Sequence, residues 1–282
     1  MSYKIITVRP LTGSIGAEIG NIDLREPLSA AARDEIRKAL LEHLVIFFRD
    51  QDIEPDQHKG FGREFGELHI HPYIPTLDGH PEIIHLASSD DGPGEMSYQA
   101  NIWHTDLTYM KEPSMASILR GVRIPPAGGD TMFINLYAAF DNLSETMQAM
   151  VQSLTAVHDI VVSMPADFMQ QSWAPQQLER LQKTTPPVEH PVVSTHPETG
   201  RKCLYVNRNF TSHIKGLSRH ESDGMLEMLY QHIEQPEFMC RFRWEKNSIA
   251  FWDNRCTQHY AVNDYHSKRE MHRVTLCGES AH

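Results

Sequence analysis

The sequence predicts a single, mostly β domain, an antiparallel β-sandwich or jelly roll with a few helices packed outside. Three observations predict it. Short runs of β-branched and aromatic residues, bounded by Gly, Pro, Asn and Asp, outnumber the helical patterns along the chain. No repeat, low-complexity tract or linker divides it. Its 282 residues are 40% hydrophobic, enough for one large core or two small ones. Without a linker, one domain over residues 1–282 is expected.

Residues 3–24 alternate around Gly13, Gly16 and Gly20 and read as short strands with turns. A helix follows over 29–43: Ser29 can cap it, and Ile36, Leu40 and Leu44 recur at helical spacing. Leu44 to Phe48 is a buried strand, too short and too aromatic for another helix. Pro55 opens a second helix that ends near Gly66. In Glu67-Leu68-His69-Ile70-His71-Pro72-Tyr73 the proline restricts the segment to a sheet edge or a loop. His69 and His71 share a face there, either as a polar surface or as ligand contacts.

Residues 81–87 form a strand, and Asp90 to Met96 a flexible loop. Strands over Ser114–Arg123 and Asp130–Asn135 flank a turn at Pro125-Pro126 and Gly128-Gly129. Residues 137–153 are helical by pattern. Residues 164–187 combine prolines with no clear period and are expected to be a long connection, of the length often used for lids. A hairpin spans 190–206, turned at Pro197-Glu198-Thr199-Gly200, and a helix spans 218–234. Phe238–Trp244, Ser248–Trp252, Gln258–Val262 and Met271–Cys277 complete the strands.

A net charge of -11 leaves no basic surplus to neutralise phosphates, which excludes a nucleic-acid partner. Cys203, Cys240, Cys256 and Cys277 form no C-x-x-C pair, and a reducing compartment is the simplest reading. The start, Met1-Ser2-Tyr3-Lys4, lacks the apolar core of a signal peptide. The longest apolar run, Leu44 to Phe48, is far below a membrane span. We expect a cytoplasmic protein with no membrane partner, assembled as a homo-oligomer (dimer or tetramer).

Trp103-His104-Thr105-Asp106 puts an imidazole and a carboxylate two residues apart. In an extended segment such residues point to one side, so one strand end could offer two ligands to one metal. With 17 His in the chain, roughly one His-x-Asp arises by chance, and the pair alone also fits a polar loop. A third ligand must come from another strand, and His259, after Trp252-Asp253-Asn254-Arg255, is placed for that. A satisfied core histidine is the other reading of His259. Two rival pairs are weaker: His196-x-Glu198 sits on the hairpin turn, and His232-x-Glu234 lies at a helix end, where such residues face apart. Arg269, Met271 and Arg273 share a strand face, and two guanidiniums aimed one way call for anions beside them.

Trp103 to Asp106, Gly128-Gly129-Asp130-Thr131, Trp252 to Arg255 with His259, and His272-Arg273-Val274-Thr275 occur in the order and spacing of the taurine dioxygenase (TauD/TfdA) family. The resemblance runs nearly end to end, including Val45 to Gln51 and Gly66 to Pro72. It implies a double-stranded β-helix in which His104, Asp106 and His259 bind Fe(II). It implies that Thr131 and Arg269 hold the far carboxylate of the cosubstrate 2-oxoglutarate. Arg273 and His71 would grip the anionic head of a small organic substrate, and Ser163 and Phe210 match substrate-pocket positions. The implied reaction couples O2-dependent decarboxylation of 2-oxoglutarate, to succinate and CO2, with hydroxylation of a substrate C–H. If that carbon carries a sulfonate, aldehyde and sulfite follow.

This chain departs from the taurine pattern on the amine side. Ala100 stands where the taurine enzymes carry an amine-binding Asn, with Asn101 beside it. Ile74 stands where a Tyr is expected, with Tyr73 one place earlier, and Tyr109 replaces a Phe. The anion half is intact, so an anionic substrate is expected, a sulfonate such as taurine first. An alkyl sulfate ester or an aryloxyalkanoate or other carboxylic acid comes next, and a non-catalytic β-barrel binding a metal or an acid is the rival from another class.

Overall fold

The structure is a computed structural model that describes residues 3–72, 74–93, 100–279 and 281. Strands β1 (Thr7–Pro10) and β2 (Ala17–Gly20) form an antiparallel pair. Helix α1 (Ala30–His43) begins where the Ser29 hydroxyl accepts the Ala32 N–H, and it buries Ile36 and Leu40. Leu44 ends it at φ 66°, with its N–H donating to the Leu40 carbonyl. That reversal feeds β3 (Val45–Phe48), whose residues are all buried. Helix α2 (Pro55–Arg63) follows, then β4 (Thr76–Leu77), β5 (His80–Ala87), β6 (Ala116–Arg123) and β7 (Thr131–Asn135).

The helix expected over 137–153 is two helices, α3 (Leu136–Asp141) and α4 (Glu145–Val151). Ser144 restarts the helix by accepting the Met147 N–H, so a cap inside the apolar pattern breaks it. Strand β8 (Thr155–His158) comes next. The stretch read as a connection contains helices α5 (Ala166–Met169) and α6 (Ala174–Thr184). Its prolines lie outside the helices or, as Pro175, in the first turn of α6, where no N–H is needed. Next come β9 (Val188–Pro191), β10 (Val193–Thr195), β11 (Lys202–Leu204), β12 (Thr211–Ile214) and α7 (Arg219–Ile233). The expected hairpin is shortened to β10–β11, because β9 turns away to pair with β8. The chain ends through β13 (Met239–Phe242), β14 (Ile249–Asp253), β15 (Thr257–Ala261) and β16 (Glu270–Leu276).

The fold is mostly β with several helices. An eight-stranded sheet runs in the order β1-β2-β3-β14-β6-β16-β5-β4. The three-stranded sheet β13-β7-β15 packs on its inner face. Phe47, Phe133, Phe242 and Trp252 fill the space between, with Phe47 and Phe242 stacked at 3.9 Å. Helices α1 and α2 cover the outer face with Ile36, Leu40 and Phe61 against Ile46, Phe48 and Phe251. Alternation along β16 therefore sends Met271 inward and Val274 and Leu276 outward, and Arg273 shares the inward side. Among the described residues the cysteines are free, and no helix is long and apolar enough to cross a membrane.

Candidate active site

The His-x-Asp segment is less regular than a strand. His104 makes a single antiparallel bridge to His259 on β15, with reciprocal N–H···O bonds of 3.2 and 2.8 Å. Asp106 then opens a turn in which Leu107 adopts φ 59°. The bridge sets the two imidazoles side by side, their ring centroids 4.2 Å apart. Thr105 anchors the segment by donating its hydroxyl to the Thr257 carbonyl at 2.7 Å. The Nε2 atoms of His104 and His259 each lie 3.9 Å from Asp106 Oδ1. All three residues are buried, at 6%, 7% and 5% exposure for His104, His259 and Asp106. Three atoms able to ligate a metal thus converge from a bridge, a turn and a strand.

Protonation is fixed by the surroundings. A carbonyl can only accept, so the 2.7 Å contact of His104 Nδ1 with the Ile102 carbonyl puts the proton on Nδ1. The Nε2 lone pair is left facing Asp106. Burial lowers the pKa of both imidazoles and keeps them neutral. Burial alone would raise the Asp106 carboxyl, but Arg273 first, with the Ser117 hydroxyl, holds it below the usual carboxylate range. Arg273 donates to Asp106 Oδ1 at 2.9 Å and Ser117 to Oδ2 at 2.8 Å. Asn254 reaches Ser117 at 3.1 Å and Ser114 at 2.9 Å, while its own oxygen accepts from Trp252 Nε1 at 2.8 Å. Two neutral imidazoles and a carboxylate on one side are a donor set for a divalent transition metal with positions left open.

Beside this trio lies a cavity of about 500 Å3. Arg273 and His71 line it at the Asp106 end. The Ile74 N–H donates to His71 Nδ1 at 3.1 Å, which leaves Nε2 as the protonated nitrogen. Burial lowers the His71 pKa to about 4, so its ring is a neutral donor at neutral pH. Ser163 and Phe210 also line the cavity, and Phe210 packs edge-on to Tyr109 at 4.9 Å. Ala100 faces the cavity, whereas Asn101 does not line it; Tyr73 lies outside the described residues. Ile160, Met164, Phe168, Trp173 and Leu181 supply an apolar wall that the sequence reading did not identify.

Thr131 and Arg269 do not line this cavity. Thr131 opens β7, and its hydroxyl accepts from Trp244 Nε1 at 2.9 Å. Arg269 is pressed against Gly129, where an added Cβ would meet its Cδ at 3.1 Å. Gly129, at φ 71°, is therefore required by both backbone and space. The Arg269 Nε is enclosed without a hydrogen-bond partner, and among the described residues its guanidinium makes no ion pair. An enclosed, unpaired cation is costly, so this site fits a carboxylate ligand. The rival pairs dissolve: His232 Nε2 donates to the Ala139 carbonyl at 2.7 Å, and Glu234 and Glu198 hold arginines.

A family model described as taurine catabolism dioxygenase TauD, TfdA family, matches residues 7–275. An alkylsulfatase from Acinetobacter baylyi is 40% identical, with 97% of this chain and 86% of that protein covered. An alpha-ketoglutarate-dependent sulfate ester dioxygenase from Pseudomonas putida is also 40% identical, covering 97% of this chain and 90% of its own. The crystal structure of a taurine dioxygenase from Burkholderia xenovorans matches with a TM-score of 0.83 at 38% identity, over 99% of this chain and 91% of that one.

Proposed function

Since the chain belongs to the TauD/TfdA family and is a dioxygenase that uses 2-oxoglutarate and O2, we propose that it hydroxylates a small organic sulfate ester or sulfonate with an apolar carbon chain. One observation carries this choice over taurine. Asp106 is the sole carboxylate lining the cavity among the described residues, and it is engaged by Arg273 and Ser117. A substrate ammonium group would find no counter-charge there: beyond the neutral amides of Gln177 and Asn209 it would meet Ala100, Leu86, Ile74 and the apolar wall. An alkyl chain instead gains by leaving water there.

His104, Asp106 and His259 would hold iron(II) through the two Nε2 atoms and Oδ1. When bound, iron(II) with 2-oxoglutarate and O2 supplies the oxidant for C–H hydroxylation, with succinate and CO2 as co-products. The Ile102 carbonyl keeps the His104 Nε2 lone pair directed inward by accepting the Nδ1–H hydrogen bond, and Ser117 orients the carboxylate. Arg269 and the Thr131 hydroxyl would take the distal carboxylate of 2-oxoglutarate. Arg273 and the His71 Nε2–H would hold the sulfo group, which brings the adjoining carbon toward His104 and Asp106. Tyr109, Phe210 and Leu107 exclude water around that carbon. Hydroxylation beside the sulfo group yields an adduct that collapses to an aldehyde, with sulfate leaving from an ester or sulfite from a sulfonate.

We read the scaffold as a single-domain double-stranded β-helix, supported by the large sheet packed on β13-β7-β15 with the site at its end. Residues 164–187 would act as the lid, since Met164, Phe168, Trp173 and Leu181 wall the cavity while Trp173 is 49% exposed. The test is a panel of linear alkyl sulfates and alkanesulfonates, taurine and aryloxyacetates, following succinate with sulfate or sulfite. Alkyl substrates should exceed taurine at least tenfold in kcat/KM. Taurine equal to or better than hexyl sulfate defeats the apolar-chain reading. Turnover of aryloxyacetates without release from any sulfur substrate defeats the sulfo reading.

A further inference from the structure

We propose that His85, Glu270 and His272 form a second metal site, selective for zinc, on the outer face of the large sheet. Strands β5 and β16 are antiparallel, and His272 pairs directly with His85. Directly opposed residues bring their Cβ atoms within about 5 Å. Glu270, two positions before His272, projects from the same face of β16. Strand register therefore gathers three ligating side chains with no loop involved. This is the face opposite Arg273, so the cluster is separate from the His104, Asp106 and His259 trio.

The distances suit one ion. His85 Nε2 lies 3.0 Å and His272 Nε2 3.6 Å from the same atom, Glu270 Oε1. Two donors on one tetrahedral zinc, each bonded at roughly 2.0–2.1 Å, sit about 3.4 Å apart. One ligand atom from each residue falls within 4.8 Å of the others.

Hydrogen bonding alone leaves the cluster incomplete. Glu270 can accept from His85, but His272 Nε2 is enclosed and lies 3.6 Å from the same oxygen, too far for a well-formed hydrogen bond. His272 is only 7% exposed, so water does not readily satisfy it. Burial also lowers its pKa and keeps its lone pair available. Its cationic neighbour Arg120 is occupied by Asp52 at 3.1 Å and Asn247 at 2.9 Å, which offsets the charge an ion would meet. Two imidazoles and one carboxylate favour zinc over magnesium or calcium, which prefer oxygen donors. His85 is the open side of the cluster, 34% exposed, so the fourth position faces solvent. A bound ion would clamp β5 to the strand whose other face carries Arg273.

The test is zinc stoichiometry of the metal-free full chain after equilibrium dialysis, read by elemental analysis. Two zinc per chain are expected for the wild type, one in the trio and one here. His85→Ala, at a partly exposed position that keeps its backbone pairing, should lose one equivalent or weaken it at least tenfold. Glu270→Gln should do the same. As a second measurement, zinc should raise the melting midpoint of His259→Ala but not of the His259→Ala, His85→Ala double variant. The proposal is overturned if His85→Ala and Glu270→Gln both keep wild-type stoichiometry and affinity. It is equally overturned if the wild type binds one zinc and His85→Ala still binds one.

Discussion

His104, Asp106 and His259 can be set beside His196, Asp253 and Cys256, a second buried trio whose ligand atoms also lie within 4.8 Å of one another. In the second trio the polar atoms are already spoken for. Asp253 Oδ1 accepts from the Arg255 N–H and Nε, and its Oδ2 from Arg255 Nη2 and from His196 Nε2 at 3.1 Å. His196 Nδ1 accepts the backbone N–H groups of Glu198 and Thr199, both at 3.2 Å. Burial raises the Cys256 thiol well above its ordinary pKa, so it is no thiolate ligand. In the first trio the imidazole Nε2 atoms stand at 3.9 Å from the carboxylate, beyond hydrogen-bond reach, beside a cavity. The difference teaches that residue type and burial do not make a site. Imidazole nitrogens left unspent by the fold, beside a cavity, do.

The largest expected effect tests that contrast directly. His259→Ala should abolish succinate formation and lower iron(II) occupancy while the circular dichroism spectrum stays that of the wild type. Retained turnover would break the comparison at its first member. Asp253→Ala is the mirror experiment. Removing one partner of a buried ion pair costs about 3–5 kcal/mol, read as a lower urea midpoint, with metal occupancy of the folded fraction unchanged. If Asp253→Ala instead spares stability and removes metal binding, the two trios have been assigned the wrong way round.

Smaller effects separate the two arginines. Losing a charge-assisted contact of about 1.5–3 kcal/mol corresponds to roughly a 10- to 100-fold change in affinity. Arg269→Ala should raise KM for 2-oxoglutarate by that factor and leave KM for the organic sulfate near its wild-type value. Arg273→Ala should do the reverse. A swap of the two outcomes reverses the assignment of the anion sites.

The smallest effect is one of pH and arises in core imidazoles outside both trios. Burial lowers the His58 and His158 pKa values to about 3. Folded, they stay neutral; unfolded, they take up protons near the ordinary value of about 6.5. Stability is therefore fullest above that value and falls as pH drops from it toward 3. Between pH 7.5 and 5.5 each should cost about 1 kcal/mol. Urea midpoints at the two pH values check this, and a His58→Gln variant should show a shallower fall. Equal wild-type midpoints would count against neutral burial.

Much of the scaffold was legible because its signals are local. Ser29 caps α1 as its sequence position suggests, Ser218 caps α7, and short apolar and β-branched runs marked β3, β6, β14 and β16. Helix α6 was not recognised although Ala174, Leu178 and Leu181 recur at helical spacing, because Pro165, Pro175, Pro186 and Pro187 made the stretch read as a connection. Asn254 stood inside a recognised motif, but its role as the brace of Ser117, and through it of Asp106, depends on residues 137 positions apart. No spacing rule reaches that far.

The order of residues fixed which side chains were candidates for a metal and for anions, because residue types and motif spacing are written along the chain. Only the tertiary structure decided that His104 bridges His259, that His196 is saturated while His104 is not, and that the cavity wall is apolar. Those outcomes depend on register and packing between remote segments. Hydrogen bonds made there choose which buried polar atoms remain available for chemistry.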